Sequence, residues 1–183
     1  ALTARLCMQR LTVDGLKRDR MPWVGDQALA VSANAYTWAD AEIVRDSLTA
    51  LGRPRNGYVN GIVDYSLWWV ISHSFRQAFF ADDALLRREA VDLDAFLARI
   101  GTDAGDDGIL RPSRDPDQFE PAGPSGVFID WTIMIDAARE STALQVLWFW
   151  AQQTASELLD EIGHPQAEVW SARAATTAQT LRE

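Results

Sequence analysis

The stretch Asp14-Gly15-Leu16-Lys17-Arg18-Asp19-Arg20-Met21-Pro22-Trp23-Val24-Gly25-Asp26 places three carboxylates and three cations within thirteen residues. Its glycines and proline work against a regular helix, so the charged side chains belong to a shaped turn. Such a set can do glycosidic chemistry. Hydrolysis of a sugar acetal needs a carboxylic acid to protonate the leaving oxygen and a second carboxylate as base or nucleophile. Further carboxylates can hold sugar hydroxyls through charge-assisted hydrogen bonds. Neighbouring carboxylates raise the pKa of a donor, and nearby arginines lower it. Trp23 offers a flat face for the apolar side of a sugar ring. The same residues could also form a solvated ion-pair turn, and spacing alone leaves both readings open.

Other chemistry-bearing residues are less suggestive. Glu140, Glu157, Glu161 and Glu168 fall on helical stretches without a motif and read as solvated faces. His73 lies among Ile71, Ser72 and Phe75, where a hydrogen-bonded core histidine is expected. His164 follows a helix stop and reads as a cap or surface residue. Two histidines and the single Cys7 have no ligand spacing, so no zinc site and no internal disulfide are expected. Asp103-Ala104-Gly105-Asp106-Asp107-Gly108 lacks the spaced ligands and closing Glu of an EF-hand and reads as an acidic turn. Neither a nucleophile elbow nor a phosphate-binding glycine loop is present. No metal or cofactor is called for.

The elements that must position the turn are helical. Ala1 to Val13 has roughly helical apolar spacing, broken by Asp14-Gly15. Helices are predicted over Trp23 to Trp38 and Ala39 to Leu51, with Gly52 at the C-cap. Tyr65 to Phe80 is strongly apolar and reads as an inner helix. Asp82-Asp83 can cap Ala84 to Ile100, which ends at Gly101. Thr102 to Gly126 is a long Gly, Pro and Asp-rich connection, which reads either as an ordered loop that carries function or as a disordered segment. Val127 to Trp131 is short and apolar. A helix is predicted over Thr132 to Ile162, stopped by Gly163-His164-Pro165, and a last one over Gln166 to Glu183. More apolar helices alternate with more charged ones. Two concentric helical layers, as in an α/α toroid, produce that alternation, although a plain bundle could too. Neither a fixed-period repeat nor a strand pattern competes.

Composition bounds the rest. The chain has 183 residues, 48% of them hydrophobic, which suffices for one sizeable core and makes a single domain the expectation. A net charge of −9 argues against nucleic acid and anionic membrane surfaces as partners. No stretch reaches the roughly 18 apolar residues a membrane span needs. No signal peptide is visible, and a single cysteine suits a reducing compartment, so a cytoplasmic location is favoured over secretion. Eight tryptophans is a high count, and core filling accounts for most of them.

The acidic turn resembles the signature of the bacterial α-L-rhamnosidase family: an Asp, a Gly or Cys, then Arg with an acidic residue, then Trp-x-Gly-Asp. These fall on Asp14, Gly15, Arg18, Asp19, Trp23, Gly25 and Asp26. Leu6-Cys7-Met8, the segment Asn60-Gly61-Ile62-Val63-Asp64-Tyr65-Ser66-Leu67-Trp68-Trp69 and Phe128-Ile129-Asp130-Trp131 are also similar, in the same order. The resemblance implies an all-α (α/α)6 toroid of the six-hairpin glycosidase type. About half of the barrel would lie in this chain, with residues 1–183 as one partial, N-terminal portion of the catalytic domain. It implies cleavage of terminal α-L-rhamnosides by single displacement with inversion. Asp19 falls where the family places its general acid. Asp14 and Asp26 fall on sugar-binding carboxylates, Arg18 and Trp23 on pocket positions, and Trp68, Trp69 and Trp131 on aromatic walls. Many members carry Glu as the acid, in Arg-Asp-Glu-Arg, where this chain reads Arg18-Asp19-Arg20. The shorter side chain reaches one methylene less far, which bears on both sugar and rate. The family's general base lies downstream of the Phe-x-Asp-Trp region and is expected outside this chain. The alternatives are a non-catalytic helical carbohydrate-binding or interaction module and a six-hairpin hydrolase for another sugar. A half-toroid would expose apolar helix faces, so a homodimer or the remainder of the barrel is an expected partner.

Overall fold

The computed structural model describes residues 2–52, 57–112, 126–132 and 141–183, and seven α-helices lie among them. They are α1 (Leu2–Cys7), α2 (Val24–Thr37), α3 (Ala41–Leu51), α4 (Val63–Phe80), α5 (Asp83–Ile100), α6 (Thr142–Glu161) and α7 (Ala167–Thr180). No strand occurs among the described residues, only the isolated bridges Met8–Thr12 and Ala104–Leu110.

Helices α2 to α7 form three antiparallel hairpins. Helix α4 lies between α2 and α6, and these three make an inner row. Helices α3, α5 and α7 pack outside it, α3 against α4 and both α5 and α7 against α6. Burial follows this arrangement. Helix α4 is buried through Leu67, Trp69, Val70, Ile71, Ser72 and His73, nearly all the way round. Helix α5 buries one stripe, Leu86, Ala90, Leu93 and Leu97, and turns Arg87, Arg88 and Asp92 outward. The architecture is a partial all-α toroid, in agreement with the alternation of apolar and charged helices.

Boundaries follow from capping chemistry. The Asp40 and Asp82 carboxylates accept the amides of Ile43 and Leu85 at the starts of α3 and α5. Asp82 also accepts from Arg45 and from the buried Arg76, tying three elements together. Helix α3 ends at Gly52 as expected, but for a different reason. Its backbone is ordinary, with φ −70°. A Cβ there would lie 2.2 Å from Cζ2 of Trp69. Glycine is demanded by the indole packed against the helix end.

Two boundaries differ from the sequence expectation. Helix α1 stops at Cys7 rather than continuing to Val13. The chain turns because the Thr12 amide donates to Ser47 Oγ at 3.0 Å and the Thr12 carbonyl accepts from Gln27 Nε2 at 3.2 Å. These partners lie far along the chain, out of reach of local periodicity. Helix α6 begins at Thr142, capped by Ser141, rather than at Thr132, which lies in a turn. The expectation over residues 133–140 lies outside the described residues.

On the inner helices several large apolar side chains remain exposed, among them Leu29 and Tyr36 on α2, Phe79 on α4, and Val146 and Trp150 on α6. Tyr36 and Phe79 meet edge to face at 5.2 Å. Trp150 meets Trp68 at 5.6 Å and Phe75 at 6.0 Å.

Candidate active site

The acidic turn is built by its own backbone. Asp14 and Met21 exchange hydrogen bonds across it: the Asp14 amide donates to the Met21 carbonyl at 3.0 Å, and the Met21 amide donates to Asp14 Oδ1 at 3.1 Å. Arg20 adopts a left-handed backbone (φ 56°) and donates from Nε to the Leu16 carbonyl at 2.9 Å. That closes the turn and spends one of its cations. Arg18 Nε lies 3.7 Å from Asp14 Oδ2, an atom that is itself buried without a hydrogen-bond donor. The Asp19 carboxylate accepts the indole N–H of Trp23 at 3.2 Å, which orients both side chains.

Helix α2 starts immediately afterwards, with Gly25 and Asp26 in its first turn. Its first amide is capped from outside: Val24 donates to Asn60 Oδ1 at 3.1 Å, while Asn60 Nδ2 donates to the Pro22 carbonyl at 3.3 Å. Asn60 has φ 54°, a region Asn tolerates better than most residues. Gly25 lies under the ring of Tyr65. The segment from Asn60 to Tyr65 therefore fixes the acidic turn against α4.

The opposite wall is the segment 126–132. The Val63 amide donates to the Gly126 carbonyl at 2.8 Å. The buried Asp64 accepts the amides of Phe128 at 2.8 Å and Ile129 at 3.2 Å, one on each oxygen. Ile129 has φ 57°, a conformation that costs a β-branched residue about 1–3 kcal/mol and persists only where the surroundings impose it. Asp130 Oδ1 accepts both the amide and the hydroxyl of Thr132, and these bonds hold its carboxyl below the usual range. Aromatic rings continue across the floor: Trp23 to Tyr65 at 6.2 Å, Tyr65 to Phe128 at 5.9 Å and Phe128 to Trp131 at 4.8 Å, all edge to face.

Between these walls is a cleft of about 460 Å³, in the range of small-molecule sites. Arg18, Asp19, Trp23, Asp26, Trp68 and Trp131 line it, together with Gly25, Leu29, Ile62, Tyr65, Phe128, Ile129 and Asp130. Arg18, Asp19 and Asp26 put charge on one wall and Asp130 on the other, and the remaining lining is mostly apolar and aromatic. Asp26 is half-buried, and its carboxyl is raised above the usual range, first by burial and then by the charge of Asp14, with Arg18 opposing. Burial and the charges of Asp26 and Asp64 push the Tyr65 phenol up, so it remains a neutral donor.

Two of the expected site residues lie elsewhere. Trp69 is fully buried; its indole donates to the Leu48 carbonyl at 2.9 Å and its ring packs on His73 and Phe96. Adjacent helical residues point about 100° apart, so Trp68 faces the cleft and Trp69 the α3–α5 side. Asp14 does not line the cleft. Its side chain is buried behind Arg18, within electrostatic reach of Asp26. The sequence reading missed Tyr65 and Asp130, both inside segments it had singled out. It also missed Leu29, Ile62, Phe128 and Ile129, whose apolar character carried no signal distinguishing cleft from core.

Away from the cleft, Glu157, Glu161 and Glu168 are exposed, and Glu140 lies outside the described residues. His73 is buried. Asp103 accepts the Tyr58 hydroxyl at 3.0 Å, and Asp107 pairs with Arg111 at 2.7 Å. Among the described residues no group of three or more His, Cys, Asp and Glu is placed to hold a metal.

Hairpins of inner and outer helices, with a carboxylate and tryptophan-lined cleft at one end of the inner row, define a portion of an α/α-toroid domain with a glycoside hydrolase-like fold. No family model matches the chain, and no curated protein matches it by sequence. Solved structures do. A rhamnosidase from Klebsiella oxytoca with rhamnose bound superimposes with a TM-score of 0.80 at 25% identity, over 98% of this chain. A GH78 family rhamnosidase of Bacillus sp. GL1 superimposes with a TM-score of 0.84 at 21% identity, again over 98% of this chain. The chain spans 36% of the length of the first and 19% of the second. The fold of this chain thus resembles a part of each of these rhamnosidase structures.

Proposed function

We propose that this chain carries the proton-donor side of an inverting α-L-rhamnosidase site. The observation that supports this best is the convergence of Asp19, Asp26, Arg18 and three indoles on one cleft of about 460 Å³. Asp19 protonates the leaving oxygen, with Trp23 orienting its carboxylate. A Glu outside this chain activates water on the opposite face of the ring. Asp26 and Arg18 hold sugar hydroxyls, and Asp14 acts through Arg18 and through its charge on Asp26. Trp23, Trp68 and Trp131 wall the ring. Rhamnose is a 6-deoxy sugar, and its methyl group suits the apolar lining from Leu29, Ile62 and Ile129.

Hydrolysis of an aryl α-L-rhamnoside by the full-length protein and by its Asp19→Ala variant tests this reading. A general acid contributes about 10²–10⁴-fold, so the variant should lose at least about 100-fold in kcat. Equal turnover would remove Asp19 from the role. NMR of the first-formed sugar should show the β anomer. The alternative reading is a helical module that binds the sugar without turning it over. Calorimetric binding of rhamnose with no hydrolysis would select that reading. The exposed apolar faces of α2, α4 and α6 are where the remaining hairpins or a second copy would pack.

A further inference from the structure

We propose that Asp64 is a positioning residue that holds the segment 126–132, and with it Trp131 and Asp130, as one wall of the cleft. Asp64 is completely buried and does not line the cleft itself. It stands in the first turn of α4, where a carboxylate commonly serves its own helix. Here both oxygens are spent elsewhere, on the successive amides of Phe128 and Ile129, more than sixty residues along the chain. The neighbouring Val63 amide grips the Gly126 carbonyl, so two adjacent residues of α4 hold both ends of a short stretch. Phe128 is seated between Tyr65 and Trp131, which passes the anchoring on to the indole at the rim. A buried carboxylate is costly unless donors satisfy it, and these two amides supply that satisfaction. The consequence for sugar affinity rests on the rhamnosidase reading; the anchoring does not.

The test uses Asp64→Asn, which keeps the size and sets an amide donor against one of the two backbone donors. Amide exchange is followed residue by residue by NMR, with 5-fluorotryptophan reporting on Trp131. Phe128 and Ile129 should exchange at least about tenfold faster and the Trp131 resonance should move, while α6 and α7 keep their rates. Unchanged exchange and an unchanged Trp131 signal would overturn the proposal. If the variant does not fold, the parent decides: Phe128 and Ile129 amides exchanging as in an unprotected chain overturn it, and protected ones support it. Rhamnose titration of both proteins separates the two readings. A parent that binds no rhamnose sinks the proposed function and leaves the exchange data to judge the anchoring. A parent that binds it should do so about tenfold more tightly than the variant.

Discussion

A Cβ on residue 25 would lie 2.6 Å from Cε1 of Tyr65. The glycine of the Trp-x-Gly-Asp stretch is therefore a packing requirement: it admits the ring that joins Trp23 to Phe128.

Gly25→Ala should weaken both fold and site. Alanine gains about 1 kcal/mol of helix propensity, but forcing the ring away costs about 1–3 kcal/mol and shifts Tyr65 from Trp23. The expected result is a lower unfolding temperature with a larger proportional loss of sugar affinity. An unchanged Tm with unchanged affinity would refute the packing argument.

Asp26 should show opposite effects on stability and binding. Its carboxyl sits above its ordinary value of 3.8 in the folded state. Above that value the unfolded chain releases the proton first, so rising pH favours unfolding until the folded group ionises too. Asp26→Asn should therefore raise Tm at neutral pH, with the gap closing as pH falls toward the ordinary value. The same variant should bind rhamnose more weakly. Thermal melts across pH, paired with titration at neutral pH, check both signs.

His73 should make the protein sensitive to mild acid. Burial, and then the nearby Arg76 charge, push its pKa from 6.5 down to about 3. Between those values the unfolded chain binds a proton that the native state refuses, so stability rises with pH and is lost as pH falls below 6.5. His73→Phe keeps a ring against Trp69 and removes a buried ring nitrogen that has no hydrogen-bond partner. Its stability should depend less on pH between about pH 6 and 4 than that of the parent. An equal slope in denaturant titrations at several pH values would contradict this.

Neighbouring tryptophans should behave differently. Trp69→Ala removes a fully buried indole and should cost about 3–5 kcal/mol. Trp68→Ala should cost less and weaken sugar binding more, because its ring faces the cleft. Chemical denaturation and rhamnose titration of the two variants would separate the roles. Equal stability losses would remove the distinction.

The helical class, the inner and outer alternation and most helix ends were legible in the sequence, because they rest on 3.6-residue periodicity and on caps such as Asp40 and Asp82. The acidic turn was legible as a cluster, since its residues are close in the chain. Which side of α4 each tryptophan faces was not. Both are apolar, and only the positions of α2, α3 and α6 decide that Trp69 fills the core while Trp68 meets the cleft. Likewise the early end of α1 depends on Ser47 and Gln27, which a local window cannot see. The sequence by itself determined the elements and the supply of carboxylates and indoles. The tertiary structure alone decided that Asn60 and Asp64, a few residues apart, hold two walls from stretches far apart in the chain, because hydrogen bonds between residues distant in sequence form only once the helices have packed.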